Sequence, residues 1–393
     1  MRKNLNQVRG TEAHQPEKAL NSLAAKALDQ HGFIWKGPVL HRIKNHVKPA
    51  SLIHEVAPDL LVNSAPLFEL EEVKRGKFKL RPSELGERLV KAFSADFQQI
   101  EDEWVLHDKS PVYLLFYRLR RFLPMDLRSY LDGLHTRDQA EAILAFLNQM
   151  VDALCRRLRR KAFKDRHANF CRNAIENFLG LSQCIDWLAQ RHDVVVTLRF
   201  DLYLRAPGSQ PVRFGDEPDV SLGEQIVELR EHFHRSMDYR FGDDLLGYAW
   251  ALEHGRETGF HIHYLVFARP DGNEDHAGLV DQLEIKWLAL TDGHGFVHNC
   301  NRHAQSYNPR AIGLVQLDDP QVIAGLRYII VYFTLAGLYM TLKAPKAAKK
   351  FGKGGFPEGP LGSVKGGRSP KAKRGQWAQR ALAMAQTHYL NFM

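Results

Sequence analysis

Hydrophobic and polar residues follow one period in the first half of this chain and another in the second. Over "HTRDQAEAILAFLNQMVDALCRRLRRKAF", Ile143, Phe146, Leu147, Met150, Val151 and Leu154 recur at the spacing of an amphipathic helix. Thr136 followed by Gln139 makes a capping box at its start. Arg156, Arg157, Arg159, Arg160 and Lys161 close it, where cations suit the negative end of the helix dipole. "FCRNAIENFLGLSQCIDWLAQRH" predicts a second helix ending near His192. Residues 1–189 therefore read as a mostly helical N-terminal region.

From residue 190 the period shortens to two. "DVVVTLRFDLYLR" alternates Arg199, Asp201 and Tyr203 with Leu198, Phe200 and Leu202, a strand signature strengthened by its β-branched and aromatic residues. "SLGEQIVELREHFHRSMDYR" returns to the helical period, and "LLGYAWALEH" and "GFHIHYLVFA" predict strands joined by "GRET", a connection of hairpin length. The helix "GLVDQLEIKWLAL", the strand "AIGLVQL" and a final helix, "VIAGLRYIIVYFTLAGLYMTLK", complete the set. Hairpin-joined strands with helices inserted between them predict an α+β domain with an antiparallel sheet over residues 190–345. Beyond it, residues 346–393 turn to lysine, glycine and proline and read as a basic tail with a short terminal helix, too poor in apolar residues to fold alone.

Composition narrows the function classes. The net charge of +9 over 393 residues suggests an anionic partner such as nucleic acid. Lys343 and, in the tail, Lys349, Lys350, Lys353, Arg368, Lys371, Lys373 and Arg374 are the candidates to track a phosphate backbone, a solubilising role being the alternative. The four cysteines show no paired spacing, which argues against a disulfide framework and fits a reducing compartment. The first residues lack the apolar core of a signal peptide, and no apolar run reaches the roughly 20 residues that span a bilayer. A cytoplasmic protein with no membrane partner is expected. The Gly-Lys pairs at 76–77 and 352–353 lack the rest of a phosphate-binding loop, which excludes nucleotide hydrolysis by that route.

The candidate chemistry sits in "WALEHGRETGFHIHYLVFARP". Residues two apart on a strand share a face, so His261 and His263 stand side by side, and a hairpin neighbour can bring Glu253 to them. Two imidazoles and a carboxylate can hold one divalent cation with coordination positions left open. A second pair, His232 and His234, falls in a helical segment, where that spacing does not share a face, and reads as solvated surface. "HNCNRH" (His298 to His303) lacks the paired spacing of a structural zinc site and reads as loop. The final helix offers Tyr328, Tyr332 and Tyr339, the first two on one face. A tyrosine there can attack a phosphodiester; core packing is the alternative for each.

The order of a hydrophobic strand, a glutamate, a His-x-His strand and a tyrosine helix running into "KKFGKG" resembles the rolling-circle replication initiators of the His-hydrophobic-His type. The likeness is to the inovirus-type gene-two proteins and their prophage relatives, the YagK/YfjJ C-terminal domain family, and it covers about residues 194–354. That family shows a Tyr-x-x-Lys-x-Asp pattern, then Tyr-x-x-x-Lys, then Phe-Gly. Tyr332, Tyr339, Lys343, Phe351 and Gly352 match, whereas Leu335 and Gly337 replace the lysine and aspartate. The resemblance implies a ferredoxin-like sheet with flanking helices. It implies an endonuclease that nicks single-stranded DNA at a replication origin, with a divalent cation, Mg²⁺ or Mn²⁺, at Glu253, His261 and His263. Tyr332 would be the nucleophile, with Tyr328 as a second tyrosine, leaving a 5′-phosphotyrosine and a 3′-OH for a host polymerase working with a host helicase. Two alternatives stand beside this reading: a DNA-binding relative that no longer nicks, and a metal-dependent nucleotide phosphoesterase.

Overall fold

The computed structural model describes residues 38–124, 126–204, 220–255, 258–272, 275–343, 345–346 and 348–356, with side chains from residue 50. The tail candidates Arg368, Lys371, Lys373 and Arg374 and the terminal helix lie outside the described residues.

The N-terminal half is largely helical, as its apolar spacing requires. It comprises α1 (Pro38–Val62), a hairpin of β1 (Phe68–Lys74) and β2 (Lys77–Pro82), α2 (Glu84–Phe93), α3 (Phe97–Glu103), a three-residue β3 (His107–Lys109), α4 (Pro111–Arg120), α5 (Leu127–Asp132) and α6 (Arg137–Arg159). Ser83, Asp96, Ser110, Asp126 and Thr136 each cap a helix by accepting a backbone N–H of its first turn. Thr136 and Gln139 form the expected reciprocal capping box. Ile53, Leu89, Phe93, Phe116 and Leu154 belong to the core these helices enclose. The β1–β2 hairpin departs from a purely helical reading. Its strands are rich in Glu, Lys and Arg, and although Phe68, Leu70, Phe78 and Leu80 alternate with them, only Phe68 and Leu80 are buried.

α7 (Lys161–Ala189) follows α6 after a break at Arg160 and links two cores. Phe163 packs against the first, whereas Cys171, Ala174, Phe178, Leu181 and Leu188 belong to a second core against the sheet. The helix that precedes residue 190 is therefore packed as part of the sheet's own cover.

The sheet is antiparallel throughout, in agreement with an α+β class. Its elements run β4 (Val194–Leu204), α8 (Val220–Phe241), β5 (Leu245–Gly255), β6 (Gly259–Ala268), α9 (His276–Leu290), β7 (Gly295–Asn299), β8 (Gly313–Gln316), α10 (Pro320–Leu335), β9 (Met340–Leu342) and β10 (Phe351–Gly354). The order is β10-β5-β6-β4-β7, and β8 pairs the first half of β4. α8 and α9 cover one face, burying Phe233 and Trp287 against Phe200, Ile262 and Tyr264. α7 and α10 cover the other. All four cysteines are free and buried.

Three sequence expectations are corrected here. The final helix ends at Leu335, passes through a 3₁₀ turn at Ala336–Leu338 and becomes β9, which pairs with β3. Tyr339 is consequently not on the tyrosine helix; it is buried with its ring edge-on to His54 at 4.9 Å. Second, Phe351–Gly354 falls within the compositional tail yet forms the edge strand on β5, because backbone pairing orders it without a large apolar face. Gly352 is required there: a Cβ would stand 2.5 Å from the Trp250 ring. Third, His234 is not solvated: it meets the Tyr264 hydroxyl at 3.0 Å, while His232 is exposed. The stretch Pro320–Leu338, α10 with its 3₁₀ turn, is long and apolar enough to cross a membrane, but 61% of its apolar window is buried inside the fold.

Candidate metal centre

Antiparallel register assembles the site. Glu253 of β5, His261 of β6 and Tyr203 of β4 lie in one row across three strands; Ala251, His263, Asp201 and His298 of β7 form the adjacent row. Row neighbours share a face, so the strand alternation read from sequence delivers Glu253, His261 and His263 to one place. Their ligating atoms lie within 4.8 Å of one another, and the cluster could hold a metal ion. Glu253 keeps 30% of its side chain exposed, whereas both imidazoles are buried.

The histidines are oriented for that task. His263 Nδ1 lies 2.6 Å from Asp201 Oδ1, and His261 Nδ1 lies 3.0 Å from the Gly259 carbonyl. Each acceptor places a proton on Nδ1 and turns Nε2 toward the cluster, the arrangement that supports metal-bound imidazoles; the second proton that His263 carries without a metal must leave before it ligates. His263 Nε2 lies 3.1 Å from Glu253 Oε2, and His261 Nε2 lies 3.9 Å from the same oxygen. Tyr203 stacks on His261 with centroids 4.9 Å apart, restricting its rotation.

Electrostatics separates the two imidazoles. Burial lowers His261, reinforced by the neighbouring His263, to about 4, so it is neutral and ready to ligate. Burial also pushes His263 down, but the Asp201 and Glu253 carboxylates outweigh it and hold the ring at about 9. Burial opposes the charge on Asp201 and on Glu253; Arg199 and His263 hold the first well below the carboxylate range, and His263 and His261 lower the second. Arg199 is bound to Asp201 by a buried ion pair, and its backbone N–H donates to Asn301 Oδ1 at 2.8 Å.

Tyr332 of α10 completes the arrangement: its hydroxyl lies 3.0 Å from His263 Nε2, and the Arg199 guanidinium carbon is 5.7 Å from its ring centroid. Burial, with Glu253 next, raises its hydroxyl well above the ordinary phenol value. Tyr328 does not join it. One turn away on the same helix, it packs against the apolar core and does not line the cavity over the centre. That cavity has a volume of about 770 Å³ and is bounded by the metal face, Tyr332, the loop before β10 and one side of α7.

Of the basic candidates, Lys349 and Lys350 line this cavity. Lys343 pairs with Asp108 at 3.4 Å, and Lys353 donates to the Gly180 carbonyl at 3.0 Å. Sequence reasoning missed Arg199, Asp201, Tyr203 and His298 as parts of the site. Their alternation was visible, but nothing local says that a polar strand face will be covered by α10. The "HNCNRH" stretch likewise departs from a loop: His298 ends in β7 beside Asp201, and Cys300–Ser306 is a 3₁₀ turn.

A scan against protein-family models, a search of curated proteins and a search of solved structures each return no match.

Proposed function

We propose that this chain is a DNA-nicking replication initiator that acts on single-stranded origin DNA through Tyr332. The observation that carries the reading is the Tyr332 hydroxyl standing 3.0 Å from His263 Nε2, an atom of the Glu253–His261–His263 cluster. The family resemblance implies magnesium or manganese; the Glu253 carboxylate suits either, whereas the two imidazoles equally suit ions such as zinc or iron. When bound, the cation would supply the Lewis acidity that polarises a phosphate oxygen. Tyr332 Oη would form the bond to phosphorus as the bond to O3′ breaks, and the proton lost by the phenol is balanced by the one O3′ gains. The products are a 5′-phosphotyrosine and a free 3′-OH, usable by a host polymerase with a separate host helicase. Asp201 orients His263, Arg199 keeps Asp201 charged, and Lys349 and Lys350 meet the strand's backbone. The element order β4-α8-β5-β6-α9-β7 and the sheet order β7-β4-β6-β5 support the ferredoxin-like architecture that the family resemblance implies.

One observation favours a second reading, a DNA-binding relative that does not nick. Leu335, at the position of the family's lysine, is fully buried in the core, so no lysine ammonium could act from there. Arg199 provides a fixed positive charge beside Tyr332 in its place. Incubation with single-stranded origin DNA and Mn²⁺ decides between them. A covalent protein–DNA species that is lost in Tyr332→Phe and kept in Tyr328→Phe supports the nuclease. Tight binding without any adduct supports the second reading.

A further inference from the structure

The cavity over the metal centre has a second wall that the nicking reaction does not use. It comes from α7, the helix inherited from the N-terminal half. While Cys171, Ala174, Phe178 and Leu181 of α7 pack into the sheet core, Asn169, Asn173 and Asn177 line the same cavity as Glu253, His261 and His263. The three are spaced four apart and therefore form one row along the helix. We infer that this row reads the bases of the strand held at the metal face, each asparagine hydrogen-bonding the edge of one unstacked base. The inference rests on the single-stranded substrate proposed above.

The chemistry of the row fits bases better than the alternatives. A carboxamide both donates and accepts, and is uncharged, so it matches the donor–acceptor edge of a base rather than a phosphate or an apolar group. Charge is placed elsewhere in the cavity, on Lys349 and Lys350. This separates contacts that position a backbone from contacts that specify sequence. Asn173 and Asn177 have no side-chain hydrogen bond among the described residues, and Asn169 is engaged only through its oxygen, by Arg172. Geometry narrows the ligand further. Four residues of helix rise about 6 Å, well beyond the roughly 3.4 Å repeat of stacked bases. Successive asparagines can therefore meet successive bases only when those bases are splayed apart, as in a single strand. Phe170, between the first two asparagines, and Trp104 bring aromatic faces to the cavity on which an unstacked base can rest.

Selection from a randomised single-stranded DNA pool tests this with the full-length protein, its Asn173→Ala/Asn177→Ala variant and Asn173→Asp. Alanine favours helix and these side chains are not in the core, so α7 should fold normally. The wild type should enrich defined bases over two or three adjacent positions. The double variant should lose that preference by roughly 10-fold per asparagine, with its salt dependence and Mn²⁺ affinity unchanged. Asn173→Asp, an acceptor only, should shift one position toward cytosine, a change that a merely structural residue would not produce. A wild type that binds without base preference, or variants that keep the wild-type preference, would overturn the inference even if the tyrosine adduct forms. If the wild type forms no adduct and binds no single strand, the functional reading falls and the inference with it.

Discussion

The two faces of β4 and β6 are both buried, yet one is apolar throughout and the other turns polar over part of its length. Toward α8 and α9 the strands present Leu198, Phe200, Leu202, Ile262, Tyr264 and Val266. Toward α7 and α10 they present the apolar Val195, Leu265 and Phe267 at one end and, at the other, Arg199, Asp201, Tyr203, His261 and His263, each no more than 6% exposed. The first face is stabilised by removing apolar surface from water, and it would fold with many similar residues. The second carries charges whose desolvation is offset only by mutual pairing: Arg199 with Asp201, Asp201 with His263, His263 with Glu253. A fold that needed only stability would have made both faces alike. The polar face is therefore best explained by what it holds in place.

Breaking one member of the polar network should have the largest effect. Asp201→Ala leaves the Arg199 charge and the His263 ring without their carboxylate, and a loss of about 3–5 kcal/mol is expected for a buried pair broken on one side. Phe200→Ala, one residue away on the opposite face, should lose a similar amount, about 3–5 kcal/mol, through its cavity. Denaturant melts of both variants measure this. The faces separate when both charges are replaced. Arg199→Met/Asp201→Leu should recover most of the lost stability, whereas no second substitution of equal size should repair Phe200→Ala. A double variant as unstable as Asp201→Ala would contradict this account of the network.

Acid should act on the buried histidines of both halves, with two signs. His107 is buried and neutral, lowered to about 3 by burial and by the nearby His254. His54 is likewise held well below the ordinary value, by burial first. In both cases the unfolded chain binds the proton more readily, so stability should decline as pH falls below about 6.5, by roughly 2 kcal/mol at pH 5 for His107; His261, at about 4, adds in the same direction. His263 has the opposite sign. In metal-free protein its folded value of about 9 lies above the unfolded 6.5, so its contribution is present below pH 6.5 and is lost as pH rises through 9. Thermal melts across pH should therefore show an acid limb that His107→Leu flattens. If that variant leaves the limb unchanged, the acid sensitivity lies in other groups.

The same contrast explains how much was legible in the sequence. Glu253, His261 and His263 could be found because a strand's period of two and a short hairpin fix their neighbours locally. Capping at Thr136 and the apolar stripe of α6 are equally local. Arg199 and Asp201 were visible as an alternating polar face, but their burial depends on α10 arriving from more than 100 residues away. The split between Tyr332 at the site and Tyr328 in the core depends on helix rotation against the sheet, which shared helical spacing does not fix. The end of α10 was hidden because its apolar run continues into β9, and only the pairing of β9 with β3 shows the change of structure.

A smaller effect is expected in metal affinity. Asp201 does not touch the ion position, but it orients His263 through Nδ1. The Arg199→Met/Asp201→Leu variant, stable again, should bind Mn²⁺ about 10–100-fold more weakly, the range for losing a partner of a ligating imidazole. His261→Ala/His263→Ala should bind more weakly still. Calorimetry giving wild-type affinity in either variant would remove the centre from this face.

The smallest effect concerns two lysines four residues apart at the cavity's edge. Lys349 is exposed, lines the cavity and has no partner for its ammonium among the described residues. Lys353 is held by the Gly180 carbonyl and lies 3.4 Å from Cys184 Sγ, tying β10 to α7. Identical in charge, they should therefore behave differently toward a single strand. A lysine that replaces a counterion contributes about 0.7 to the slope of log affinity against log salt. Lys349→Ala should flatten the slope by about that amount with no change in melting temperature. Lys353→Ala should leave the slope as it is and lower the melting temperature slightly, because a solvent-exposed ammonium's hydrogen bond falls at the low end of the about 1.5–3 kcal/mol that bonds to charged groups contribute. Equal slopes in the two variants would mean that the backbone path runs along β10 rather than through the cavity.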